Sequence, residues 1–171
     1  MATAIPLVRY ARLVSPLGVV HVAATERGVC RLEIGMDDRE FVASSKDRYH
    51  CWLTRDEEFM APYLKQLGEY FEGRRKRFDF ELDFLEGTAF QRKVWRALYS
   101  IPYGQVRSYK DVARAIGSLR GYRAVGAGCG ANPVAIIVPC HRVVNQDGKL
   151  GGFGYGLEMK QRLLQLEGAL L

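Results

Sequence analysis

Along the first third of the chain, short apolar runs rich in β-branched residues are separated by breaks of turn-forming residues. Arg12-Leu13-Val14, a Ser15-Pro16-Leu17-Gly18 turn, Val19 to Ala24, a break from Glu26 to Gly28, and Val29 to Ile34 predict two consecutive hairpins between Ala11 and Gly35. From Pro62 to Gly73, Leu64, Leu67, Tyr70 and Phe71 recur at three- and four-residue spacing and predict an amphipathic helix. Phe78, Phe80, Leu82 and Phe84 then alternate with Asp79, Glu81 and Asp83, which predicts a strand with its aromatic face inward.

After Glu86-Gly87-Thr88 the period becomes helical. Thr88 is a candidate cap for a helix carrying Phe90, Val94, Trp95 and Leu98 on one face, which Ile101-Pro102-Tyr103-Gly104 would end. Ser108 can cap a second, short helix through Ile116, and a third begins near Tyr122 and closes before Asn132-Pro133. Two short helices across the glycine-containing turn 117–121 make a helix-turn-helix. A continuous apolar run, Val134 to Val138, predicts a short strand, and a terminal helix starts at about Leu157. The pattern therefore predicts two domains, a small α/β unit over 1–83 and a mainly helical unit over 84–171.

Charge separates along the same line. Residues 1–83 hold 13 Lys and Arg against 14 Asp and Glu, a net of −1, whereas residues 84–171 hold 12 against 5, a net of +7. A basic excess confined to one unit fits a surface that faces nucleic-acid phosphates, although a merely soluble basic domain would look the same. The four cysteines, at 30, 51, 129 and 140, show no paired spacing. With no apolar run long enough to span a bilayer and no leader pattern, the expectation is a cytoplasmic protein with reduced thiols, on the nucleoid or in a nucleus.

The predicted strand Val134–Val138 delivers Pro139-Cys140-His141-Arg142-Val143. A thiol near its ordinary pKa of about 8.5 is only a few per cent thiolate at neutral pH, so a nucleophilic cysteine needs a base, a cation or a helix N-terminus beside it. His141 is a candidate base. Taken alone, Cys140 reads more readily as one more small buried hydrophobe, as most free cysteines are.

The wider run, Gly130-Ala131-Asn132-Pro133-Val134 through Cys140 to Val144, is followed by Gly151-Gly152-Phe153-Gly154-Tyr155-Gly156 and a helix with Lys160 and Glu167. Upstream stand Phe90-Gln91-Arg92-Lys93-Val94-Trp95, Ile101-Pro102-Tyr103-Gly104, Ser108-Tyr109 and Tyr122-Arg123-Ala124-Val125-Gly126. Together these resemble the O6-alkylguanine-DNA alkyltransferase family across essentially all of residues 86–171. The resemblance implies an α/β (α+β) protein, with a ribonuclease H-like N-terminal domain built on an antiparallel sheet. The C-terminal domain it implies is helical, with a winged-helix-like helix-turn-helix. It implies single, irreversible transfer of an alkyl group from O6-alkylguanine, with O4-alkylthymine as a second candidate substrate, to the Cys140 thiolate.

By the same resemblance His141 relays the thiol proton through water, Glu167 orients His141, Tyr109 donates to the departing purine and Asn132 ties the recognition helix to the reactive turn. Asn132-Pro133 is also an ordinary helix stop. Arg123 would fill the space of a base flipped from duplex DNA, bound through its minor groove. Without the family it reads as a solvated or phosphate-contacting arginine. Ala124, Gly126, Ala127, Gly128 and Gly130 would let this helix approach DNA, with Tyr122 on the same DNA-binding surface, at roughly 1 kcal/mol of helix stability per glycine, unless the small residues serve packing inside the protein. The backbones of Cys140 and Val143 would read the guanine edge, and Gly151, Phe153 and Gly154 would line the pocket. Gly154 departs from members with a serine there, and Phe153 carries a ring without a hydroxyl.

No cofactor is expected. Some members hold zinc in the N-terminal half, but Cys30, Cys51, His21 and His50 lack compact ligand spacing, so no metal is expected either. The expected partner is double-stranded DNA containing alkylated guanine, with no membrane, for a monomer whose copies can line up on DNA. The rival readings are a lesion-binding or regulatory protein on the same scaffold, whose alkyltransferase-like relatives replace the reactive cysteine, and a cysteine hydrolase.

Overall fold

The computed structural model describes residues 3–169. The chain divides between Glu86 and Gly87 into two units. In the first, β1 (Leu7–Ser15), β2 (Gly18–Thr25) and β3 (Gly28–Ile34) form the two expected hairpins, with Tyr10 opposite Ala23 and Val22 opposite Leu32. Two elements were not anticipated. Helix α1 (Asp38–Tyr49) leads to β4 (Trp52–Arg55), which pairs parallel to β1 and completes the order β3-β2-β1-β4. Helix α1 has few apolar positions, but Asp37 and Glu40 form a capping box: the Glu40 amide donates to Asp37 Oδ1 at 2.8 Å and the Asp37 amide to Glu40 Oε2 at 3.1 Å.

One face of the sheet packs Val8, Tyr10, Ala23 and Cys30 with Phe41 and Tyr49 of α1. The other face meets α2 (Glu57–Phe71), where the Arg9 guanidinium lies over the Phe59 ring. Covering both faces explains why β2 is buried almost without alternation.

Two expectations in this unit need correction. Helix α2 starts at Glu57, five residues before Pro62, because Asp56 caps it by accepting the Phe59 amide at 2.9 Å. Pro62 therefore sits inside the helix, where burial of Met60, Leu67, Tyr70 and Phe71 offsets its missing hydrogen bond. Residues 78–84 do not form a ladder strand. The segment makes a single bridge, Leu82 to Val29, and its Phe78 and Phe80 rings pack on each other and on Tyr70 and Tyr63. Its alternation reflects an aromatic stack rather than sheet pairing.

In the second unit α3 (Ala89–Tyr99) carries a Thr88–Gln91 capping box and buries Val94, Trp95 and Leu98 as its pattern predicts. Ser108 and Asp111 form another capping box at the start of α4 (Tyr109–Ala115), and α5 (Tyr122–Gly130) completes the helix-turn-helix. Short strands β5 (Arg107–Ser108) and β6 (Val143–Val144) pair in parallel, and α6 (Leu157–Leu166) closes the unit.

The predicted strand Val134–Val138 is instead a fully buried turn. Ile136 takes φ 72°, a conformation a β-branched residue rarely adopts, and Val138 N donates back to Val134 O at 2.9 Å. Continuous apolarity here marks burial on all sides, which a short run shares with a core strand. Among the described residues no helix is long and apolar enough to cross a membrane.

Candidate active site

Asn132 determines where the reactive turn lies. Its Oδ1 accepts the Val134 amide at 3.0 Å, closing a local turn, while its Nδ2 donates to Val138 O at 2.7 Å. Val138 O also accepts the Cys140 amide at 2.8 Å, and Cys140–Arg142 forms one turn of 3-10 helix. Cys140 is thereby held at the C-terminal end of α5, only 7% exposed. It lines a cavity of about 170 Å³ together with Tyr109, Gly126, Cys129, Gly130, Gly152, Phe153 and Gly154.

His141 is wholly buried, and its Nε2 lies 2.7 Å from Glu167 Oε1. Arg142, buried as well, clamps the same carboxylate, with Nε donating to Oε2 at 2.8 Å and Nη2 to Oε1 at 2.9 Å, and its Nη1 donates to Ile101 O at 2.5 Å. Burial by itself would raise the Glu167 pKa, but hydrogen bonds and charge from His141 and Arg142 outweigh it and hold the carboxyl well below the usual carboxylate range. An ionised Glu167 can only accept, so Nε2 of His141 carries the hydrogen and Nδ1, which has no hydrogen-bond partner among the described residues, is left as the basic nitrogen. Burial pushes the imidazole pKa down against the opposing pull of Glu167, which keeps the ring neutral. Burial pushes the Cys140 thiol up, opposed by a hydrogen bond from the Asn132 side chain and the charge of Lys160.

Arg142 and Lys160 are the two functional residues to which sequence reasoning assigned no role. Lys160 is fully buried and donates to Val143 O at 2.6 Å and Gly152 O at 3.1 Å, tying the glycine-rich loop to the strand that leaves the reactive turn. Burial lowers its pKa to about 8. The signal was available: Lys160, Leu163, Leu164 and Glu167 share one helical face, so two charges ride on the apolar stripe of α6 and need buried partners.

Tyr109 stands against the loop. A Cβ on Gly151, where φ is +70°, would come within 3.0 Å of the Tyr109 hydroxyl, so this close approach requires glycine. Burial pushes the phenol up to about 12, which keeps it a donor at neutral pH. Val143 is buried at the start of β6.

The glycines of α5 divide by position. Gly128, expected to bring the helix close to DNA, is buried and serves packing rather than that approach, since an added Cβ would lie 3.2 Å from Val94 and its carbonyl accepts Trp95 Nε1 at 2.9 Å. Gly126 and Gly130 line the cavity instead. Tyr122, Arg123, Ala124 and Ala127 occupy the exposed face of the helix, with the Arg123 guanidinium 5.9 Å from the Tyr122 ring centre. Of the expected site residues, Cys140, Tyr109, Gly126, Gly130, Phe153 and Gly154 line the pocket; His141, Glu167 and Asn132 stand behind Cys140, Gly151 lies against Tyr109 with Gly152 taking its place in the lining, and Arg123 and its neighbours remain on an outer surface. Among the described residues no three metal-ligating side chains converge.

Two family descriptions match the chain. Residues 89–169 match the DNA-binding domain of 6-O-methylguanine DNA methyltransferase, and residues 8–84 match its ribonuclease-like domain. A methylated-DNA–protein-cysteine methyltransferase of Mycolicibacterium paratuberculosis is 44% identical, the match covering 94% of this chain and 93% of that one. One from Methanosarcina barkeri is 42% identical over 90% and 92% of the two chains. Among solved structures, Mycobacterium tuberculosis OGT in complex with DNA superposes with a TM-score of 0.82 at 40% identity, covering 94% of this chain and 93% of that one.

Proposed function

The chain belongs to the 6-O-methylguanine DNA methyltransferase family, and from that membership we propose that it repairs O6-alkylguanine in DNA by moving the alkyl group, once and irreversibly, onto Cys140. The observation that carries the assignment to this cysteine is the 2.7 Å bond between Glu167 and His141, the residue next to the pocket thiol. It leaves a neutral imidazole with one basic nitrogen beside a thiol that cannot ionise unaided.

In the reaction the Cys140 sulfur attacks the alkyl carbon, the carbon–O6 bond breaks, and its electron pair leaves on guanine. The thiol proton passes to His141 Nδ1, and the departing purine takes up a proton as it returns to its keto form. Tyr109, held protonated, donates to the charge that develops on the ring. Asn132 and Lys160 keep the turn and the loop in place through backbone carbonyls.

A base inside a duplex is out of reach of a buried thiol, so the nucleotide must be extruded, at a cost of about a few kcal/mol. The exposed face of α5 fits the surface that would enter the minor groove, with Arg123 replacing the extruded base. The net charge of +7 on residues 84–171 supports phosphate binding. A thioether is a poor leaving group, so the protein acts once. With lesion duplex in excess, restored guanine should plateau at one per protein molecule, whereas continued turnover would contradict the proposal.

A further inference from the structure

We infer that Cys129 is a second reactive thiol of the acceptor pocket, and that a hydroperoxide joins it to Cys140 in an intramolecular disulfide that masks the acceptor reversibly. The inference rests on Cys140 being the reactive thiol of the proposed function.

Two thiols and two rings supply all the side-chain bulk of this cavity. Its remaining walls are Gly126, Gly130, Gly152 and Gly154. Asn132 ties both cysteines to one frame: its amide donates to Cys129 O at 3.3 Å, and its side chain donates to the same Val138 carbonyl that receives the Cys140 amide. Cys30 and Cys51 differ in kind, each buried in the core of the first unit with its thiol directed at a backbone carbonyl, Ala23 O at 3.4 Å and Ser45 O at 3.7 Å.

The chemistry balances with the hydroperoxide as oxidant. Cys140 thiolate attacks a peroxide oxygen, the O–O bond breaks, and sulfenic acid forms with release of water or an alcohol. Cys129 thiolate then attacks the Cys140 sulfur, the S–S bond forms, and the sulfenic oxygen leaves as water. The two thiols give up two electrons and the peroxide takes them. Burial holds both thiols protonated, Cys129 at a pKa of about 12, so the Cys140 proton must leave before the first step and the Cys129 proton before the second, and both steps quicken as pH rises. For an acceptor that can be used only once, the benefit is protection. Without a partner thiol, sulfenic acid proceeds to sulfinic and sulfonic acids that ordinary reductants do not reverse.

The test treats full-length protein with hydrogen peroxide, removes the peroxide with catalase, and divides the sample with and without dithiothreitol. Wild type should lose two hydrogens, yield linked peptides carrying Cys129 and Cys140, lose transfer from an O6-methylguanine duplex, and regain it with dithiothreitol. In Cys129→Ser and Cys129→Ala, each compared with its own untreated activity, Cys140 should gain oxygen and transfer should stay lost after reduction. The inference is overturned if wild-type Cys140 is oxygenated and unlinked, if the link joins Cys30, Cys51 or a second chain, or if both variants recover as wild type does. The linkage is read by mass, so untreated protein without transfer activity would refute the proposed function separately.

Discussion

Each unit of this protein contains a wholly buried histidine whose Nε2 lies 2.7 Å from a carboxylate and whose Nδ1 has no hydrogen-bond partner among the described residues. Only one of the two sits in a place where that arrangement can do chemistry. His21 stacks on Phe41 at 4.7 Å between ring centres, and its partner Asp38 is partly exposed and shared with Arg12 and Arg55. Asp38 is held below the usual carboxylate range chiefly by the His21 hydrogen bond. His141 adjoins a pocket thiol, and its partner Glu167 is buried and clamped by Arg142. A histidine–carboxylate pair is therefore a way to bury an imidazole, and it becomes a general base only beside a nucleophile and a cavity.

The strongest way to break this comparison is to disable both pairs. Glu167→Gln should slow alkyl transfer per folded molecule by about a hundredfold or more, the usual scale for losing a positioned base. It should also destabilise the protein by about 3–5 kcal/mol, because Arg142 is left buried and unpaired. Asp38→Asn should leave transfer near the wild-type rate and lower only the melting temperature. Equal losses of rate would remove the distinction. Arg123→Ala should come next, slowing transfer from duplex DNA by at least about tenfold, about 1.4 kcal/mol, more than transfer from the free alkylated base. Equal loss on both substrates would contradict its place in base extrusion.

Dependence on pH sharpens the same contrast. His141 is held neutral and the Cys140 thiol is pushed up, so the transfer rate should rise with pH from 7 to 9 and show no separate step near 6.5, where an ordinary histidine titrates. Stability follows from linkage. Below about pH 6.5 the unfolded chain protonates His141 more readily than the folded one, so stability should fall as pH drops. The Glu167 contribution is present above about pH 4.3 and is lost only as pH falls through its depressed folded value. Urea titrations across pH, with an alanine variant at His141 as control, measure both. The smallest effect separates the glycines of α5: Gly128→Ala should cost about 1–3 kcal/mol by crowding Val94, while Gly130→Ala, which meets open space, should gain up to about 1 kcal/mol of helix stability.

How much of this was legible in the sequence depended on whether a signal was local. Thr88–Gln91 and Ser108–Asp111 carry their helix starts within four residues, and α3, α4 and α5 begin where the pattern puts them. The missed α1 also had a local signal, its capping box, but too few apolar positions to draw notice. Two segments misled for opposite reasons. Residues 78–84 alternate because their rings stack on α2, and Val134–Val138 is apolar throughout because Asn132 folds it into a buried turn. Cys140 and His141 were legible as neighbours. Glu167 lies 26 residues from His141 in sequence, so its place in the site came only from family resemblance, and the Arg142 clamp and the Lys160 tie needed coordinates.

The central claim is that one thiol, Cys140, keeps what it takes. Intact mass and peptide mapping after incubation with a duplex containing one O6-methylguanine, with Cys140→Ala as control, test it directly. The account predicts one added methyl confined to Cys140, none on the variant, and DNA binding retained by both. A methyl on any other residue, or repair with no adduct on the protein, would contradict it.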